Sequence, residues 1–130
     1  MTDPVAETNP VSPLDSPSSL VLNQEVVDGV MVVHARGEVD MATVHLLDEQ
    51  LRAAEAVVVP PARLVLDLTG VTFLASMGLA QLATHHELCA ERGTVLRIVA
   101  SDRLVLRPIQ LTGLDEILVI ADTLDDALAS

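Results

Sequence analysis

The chain contains no lysine, no tryptophan and no tyrosine, and Phe73 is its only aromatic residue. Each absence narrows the function. Without lysine, Schiff-base and lysine general-base chemistry are excluded. The seven basic residues are all arginine, set against 19 acids, for a formal net charge of −12. Nucleic-acid binding needs a basic patch to neutralise phosphates, and single-strand binding needs stacking aromatics. The composition offers neither, and the acidic balance also opposes anionic membrane surfaces. Cys89 stands alone, which excludes a disulfide within the chain; its helical spacing from Leu82 and His86 marks a buried structural thiol. Apolar residues make up 50% of the chain and mean hydropathy is +0.46. Even so, no apolar run approaches the roughly 18 residues of a membrane span. There is no G-x-S-x-G elbow, no G-x-x-x-x-G-K-[ST] phosphate loop, and no His/Cys cluster at metal-ligating spacing. These gaps predict a protein that is not an enzyme and holds no cofactor and no metal. Met1, Thr2, Asp3 and Pro4 lack the basic start and apolar core of a secretory signal, so a cytoplasmic location is expected.

What is present has a clear order. Residues 1–19 carry Pro4, Pro10, Pro13 and Pro17 among polar residues, which predicts a disordered tail before a single domain over 20–130. Runs 19–27 and 30–39 read as strands joined by Asp28 and Gly29, the composition of a type I′ hairpin. His34 falls in the second run as a half-exposed strand residue. Asp40 ends it. Residues 41–56 are helical, with Val44, Leu47, Leu51 and Ala54 on one face. Asp48, Glu49, Arg52 and Glu55 supply the wet side, and His45 lies at the boundary. Pro60 and Pro61 mark a connection. Residues 64–68 form an apolar strand, parallel to the second through a right-handed crossover. A turn at Thr69 and Gly70 and a second extended piece, 71–74, lead to Ala75 and Ser76.

A helix then opens with Ser76 as its N-cap and ends at Gly93. Its packed face carries Leu79, Leu82, Ala83, His86, Cys89 and Ala90, which leaves His85 exposed. A buried strand covers 94–100. Ser101 and Asp102 cap a helix over 103–112, either kinked at Pro108 or regular only from about Arg107. A strand at 117–120 and an acidic helix at 122–129 close the chain; Asp122 or Thr123 caps that helix and Leu124 and Leu128 dock it. The order predicts an α/β fold: a mixed sheet with an N-terminal antiparallel hairpin and then parallel crossovers, packed with about four helices.

Two features attract chemistry. Asp40 and Asp67 stand near strand ends, where a lone aspartate ordinarily shapes a turn or a cap. Ser76 stands at the mouth of a helix, where unpaired N–H groups and the helix dipole favour a serine cap and also favour a phosphate.

Residues 63–82 resemble the signature of the STAS domain, the family of anti-sigma factor antagonists. Asp67, Leu68, Thr69, Phe73, Ser76, Gly78 and Leu79 match its pattern. Gly37, Glu38, Val39 and Asp40 are similar to the family's Gly-Glu-Leu/Val-Asp. Leu111, Thr112, Gly113 and Leu114 are similar to its Leu-Thr-Gly-Leu. The resemblance covers roughly residues 20–129. It implies an antagonist that binds an anti-sigma factor, usually a serine kinase of the histidine-kinase-like ATPase fold, and is released by phosphorylation of Ser76. It places partner contacts at Asp40, Thr72, Ala75, Ser76, Met77 and Gly78, in a protein that is a monomer or weak dimer. Ala75 and Met77 replace the family's Asp and Ser/Thr on either side of the serine. These replacements leave open a non-phosphorylated interaction module. A small-ligand (nucleotide) sensor is the third reading, although a glycine-rich phosphate loop is missing.

Overall fold

A computed structural model describes residues 19–129 of the chain; the tail expected to be disordered, residues 1–19, lies outside the described residues except for Ser19, which is hydrogen-bonded to Glu38. Strands β1 (Leu20–Val27) and β2 (Val30–Val39) precede helix α1 (Val44–Val57). Then come β3 (Arg63–Leu74), α2 (Ser76–Glu91), β4 (Val95–Val99) and α3 (Arg103–Leu111). A 3₁₀ turn at Leu114–Glu116, β5 (Val119–Ala121) and α4 (Leu124–Ala129) complete the order. The five strands lie in the order β1-β2-β3-β4-β5. β1 and β2 are antiparallel, and every later pair is parallel. The expected fold is therefore the one observed. Asp28 and Gly29 have φ of 52° and 79°, the two positive values that a type I′ hairpin needs.

Strand alternation sends one set of side chains to each face of the sheet. Val33, Ala35, Leu64, Leu66, Leu68, Leu96 and Ile98 form the larger core with Leu47, Leu51, Leu82, Val105 and Ile109 of the first three helices. Each such leucine contributes about 1.5–3 kcal/mol by leaving water. On the opposite face Val30, Val32, Val65 and Val99 pack against Ala127, with Leu124 and Leu128 alongside. α4 has only six residues, so it covers only part of that face.

Several boundaries differ from the sequence expectations. α1 begins at Val44, three residues later than expected. Asp40 Oδ1 accepts from the N–H groups of Ala42 and Thr43, and the Thr43 hydroxyl donates to the Glu38 carbonyl at 2.7 Å. That side-chain-to-backbone turn competes with helix over 40–43. The turn expected at Thr69 and Gly70 is absent; β3 runs unbroken for 12 residues. Irregularities in the β2–β3 register, between His34 and Arg36 and between Gly37 and Glu38, absorb the mismatch instead. α3 starts at Arg103, where Asp102 accepts from the Leu104 N–H, and Pro108 lies within it. The last strand is shifted to Val119–Ala121 because the 3₁₀ turn occupies the residues before it. Thr123 Oγ1 accepts from the Asp126 N–H at the start of α4.

Candidate functional site at the Ser76 pole

The parallel strands β2 and β3 end side by side, with Val39 opposite Leu74. The turns that follow them therefore open at one pole of the molecule. Asp40 begins one of these turns; Ala75 and Ser76 form the other. The Ala75 N–H donates to the Val39 carbonyl at 2.8 Å, which fixes the second turn to the end of β2.

Ser76 is the first residue of α2, and Ala75 is its cap, extended at φ −77° and ψ 168°. This corrects the expectation of Ser76 as the cap. The Ala75 carbonyl accepts from both Gly78 and Leu79, so the helix turns from Ala75 onward and a side-chain cap has no place. The N–H groups of Ser76 and Met77 have no acceptor within the helix. Ser76 itself is exposed, and among the described residues its hydroxyl has no hydrogen-bond partner.

Gly78 is buried beneath this turn. A Cβ added there would lie 2.7 Å from Leu74 Cδ1 and 2.7 Å from Val39 Cγ1. Only a hydrogen lets α2 approach the two strand ends so closely. Gly37 has a second constraint: its φ is +116°, and an added Cβ would meet the Ser19 carbonyl oxygen at 2.2 Å. Ser19 is held there by Glu38, whose N–H donates to the Ser19 carbonyl and whose carboxylate accepts from the Ser19 N–H. Thr72 is exposed, with its hydroxyl 3.4 Å from the Gly37 carbonyl and from Glu38 Oε2.

Of the six residues expected at the partner surface, Asp40, Thr72, Ala75, Ser76 and Met77 are at least partly exposed at one pole, whereas Gly78 is buried beneath it. Two others were not foreseen as contacts. Phe73, just before the Ser76 turn, is 51% exposed, Met41, in the Asp40 turn, is 78% exposed, and Met77 is 38% exposed. Their signal was faint: each is a bulky apolar residue at or beyond a strand end, where the core pattern no longer asks for one.

Asp67, also part of the motif, lies elsewhere. It is buried on the sheet face that α4 partly covers, about 20 Å along β3 from the Val39–Leu74 end. Asp40 and Asp67 thus lie in separate places. Asp67 Oδ1 accepts from the Thr69 N–H and hydroxyl. Its Oδ2 is 2.7 Å from His34 Nδ1, and His34 Nε2 is 2.6 Å from Glu25 Oε2. Partial burial acts to lower the His34 pKa, but the bonds to Asp67 and then Glu25 outweigh it and raise the value. His34 is thus a tie across three strands. Asn23, Arg36, Thr69 and Gly70 join His34 and Asp67 around a hollow of about 190 Å³ on this face.

The two adjacent histidines of α2 are reversed from expectation. His85 is completely buried and His86 partly so. His85 faces α1, with Nδ1 2.5 Å from Glu55 Oε2 and Nε2 2.8 Å from Asp48 Oδ1. Glu55, expected on the wet side, is only 5% exposed. A buried acid needs a partner, and His85 is that partner. Cys89 is buried beside Glu55, and burial, followed by that carboxylate, pushes its thiol pKa up to about 12. Among the described residues no group of three or more His, Cys, Asp or Glu side chains is placed to hold a metal ion. No helix among them is long and apolar enough to cross a membrane.

Comparison with known proteins gives this architecture a family. The STAS domain profile matches residues 22–127. Anti-sigma-F factor antagonist RsfA of Mycobacterium tuberculosis is 35% identical over 103 residues, covering 79% of this chain and 80% of that protein. Anti-sigma-F factor antagonist RsfB of the same organism is 36% identical over 115 residues, covering 88% and 92%. The crystal structure of an anti-sigma factor antagonist from Mycobacterium paratuberculosis is 42% identical and superposes with a TM-score of 0.77, covering 85% of this chain and 92% of that one. With its sheet order, its Ser76 turn and a profile match over most of its length, the chain belongs to the STAS domain family.

Proposed function

We propose that this protein is an anti-sigma factor antagonist working in the cytoplasm, and that Ser76 is its phosphorylation switch. One observation carries the reading: Ser76 is an exposed, unbonded hydroxyl at the first position of α2, on the pole where Phe73, Met77 and Met41 are also exposed. The names of the mycobacterial relatives support the partner class. The apolar side chains supply contact area for an anti-sigma factor, Asp40, Thr72 and Ala75 around them set its orientation, and Gly78, buried beneath, holds the turn against the strand ends. A phosphate on Ser76 adds about −1.5 to −2 charges. The unpaired N–H groups of Ser76 and Met77 and the helix dipole tolerate it within the free domain. Within the complex the same group stands in the docked surface, where it must be desolvated and meets the partner's packing. The anti-sigma factor in this reading carries the serine kinase activity itself, in an ATPase of the histidine-kinase-like fold.

Phosphate transfer is the direct test. Incubation with a cognate anti-sigma kinase and ATP adds one phosphate to the wild type and none to Ser76→Ala. Equal labelling of the two would exclude Ser76 as the acceptor. A second reading has its own observation: Ala75 and Met77 remove the polar neighbours of the acceptor serine. On that reading the same pole binds its partner constitutively, and the wild type takes up no phosphate from any anti-sigma kinase that it binds.

A further inference from the structure

β1 is one edge of the sheet, and among the described residues no strand pairs with its outer side. Its eight residues, LVLNQEVV, contain no proline and no lysine, and they pair with β2 without a bulge. Those are the devices that ordinarily blunt an edge. Val21 is 50% exposed and Val26 65%. At the hairpin end Val26 joins the exposed Val57 and Val59 around a groove of about 260 Å³ that Met31, Val58 and Arg63 also line. In a chain of net charge −12, β1 carries a single ionisable side chain, Glu25, and His34 holds it. β1 itself therefore presents little charge to a second copy.

We propose that a second copy of this chain docks here, β1 against β1, joining the two five-stranded sheets into one. Antiparallel self-pairing keeps each face on its own side only if residues of the same face meet. A two-fold axis at Gln24 satisfies this and brings Val21 opposite Val27, Leu22 opposite Val26, and Asn23 opposite Glu25. Apart from Leu20, which falls opposite Asp28 at the end, apolar side chains then meet apolar ones on both faces, and the carboxylate meets an amide rather than another acid. An axis at Asn23 is poorer, because it sets Val21 against Glu25 and Leu22 against Gln24. The contact is isologous and closes after two copies, so it gives a dimer and not a fibre. The chain's own residues 1–18 suit the edge less well, since their four prolines donate no hydrogen bonds. The pairing uses no atom of Ser76, so it stands whether or not Ser76 is a phosphoacceptor.

Sedimentation velocity of the full chain across about 5–500 µM tests the pairing, in the range where small interfaces assemble. The expected result is a concentration-dependent species at twice the 13.8 kDa chain mass. Val26→Lys lowers the association constant at least tenfold, whereas Leu111→Lys, an exposed apolar site on α3, changes it less than twofold. Hydrogen exchange on the same samples shows alternate β1 amides protected only at high concentration. A single species at the chain mass at every concentration overturns the proposal. So does a dimer that survives Val26→Lys. Protection of β1 at all concentrations in a monomer also overturns it, and would mean that the chain covers its own edge.

Discussion

An added methyl group at Gly78 would stand within 2.7 Å of two buried side chains, Leu74 and Val39. Gly78→Ala must therefore shift α2 away from the strand ends, at a cost of about 1–3 kcal/mol. Urea denaturation should show that loss, and a smaller loss would mean that the turn yields more easily than its contacts imply. His34 makes a pH-dependent prediction. Its folded pKa is raised above the ordinary 6.5, so its contribution to stability is fully present below that value and is lost as pH rises through the folded one. The melting-temperature advantage of the wild type over His34→Gln should shrink across that rise; a constant difference would show that the ties to Asp67 and Glu25 carry no net charge effect. Cys89 should be inert. With its pKa pushed up to about 12 and its side chain buried, it should react with a thiol reagent only as fast as the protein unfolds.

At the scale of elements, α1 and α2 are joined by more than apolar packing. His85 reaches across to Glu55 and Asp48, so both ring nitrogens face carboxylate oxygens. Burial acts to raise the Asp48 pKa, but the bonds to His85 and then to Arg52 outweigh it and lower the value. Removing Glu55 leaves the buried His85 Nδ1 without its partner while Nε2 keeps Asp48, and Glu55→Ala should cost about 1–3 kcal/mol. Chemical denaturation measures it. A cost near that of an exposed glutamate would mean that water replaces the lost carboxylate. This clamp also marks the limit of what could be read from the sequence. Every strand and helix announced itself through apolar spacing, and Asp28 with Gly29 announced the hairpin. A charge on a helix, however, reads as a solvated one until its partner is known, and His85 stands 30 residues from Glu55 in the chain. The choice between His85 and His86 depended on which flank of α2 meets α1, which the spacing of Leu79, Leu82 and Cys89 alone does not decide. Likewise Ser76 was expected to cap α2 because serine favours that position, but the hydrogen bond from Ala75 to Val39 moved the helix start by one residue.

The whole molecule separates its tasks by region. The larger core lies on one sheet face, α4 covers part of the other, and the turns after β2 and β3 gather the Ser76 surface at one pole. Its net charge of −12 sets a general repulsion that salt screens within about 8–10 Å. Moving from low salt to about 0.5 M should raise the melting temperature by a few degrees. A fall would mean that the screened attractions, such as Arg52 with Asp48, outweigh the repulsion. The proposed switch requires that charge at Ser76 control docking at this pole. The affinity of a cognate anti-sigma factor for four forms, the wild type, its Ser76-phosphorylated form, Ser76→Ala and Ser76→Glu, tests that claim most directly. The predicted result is that the wild type and Ser76→Ala bind within about twofold of each other, while the phosphorylated form binds at least about tenfold more weakly and Ser76→Glu falls between them. Equal affinity of the phosphorylated and unmodified proteins would contradict it.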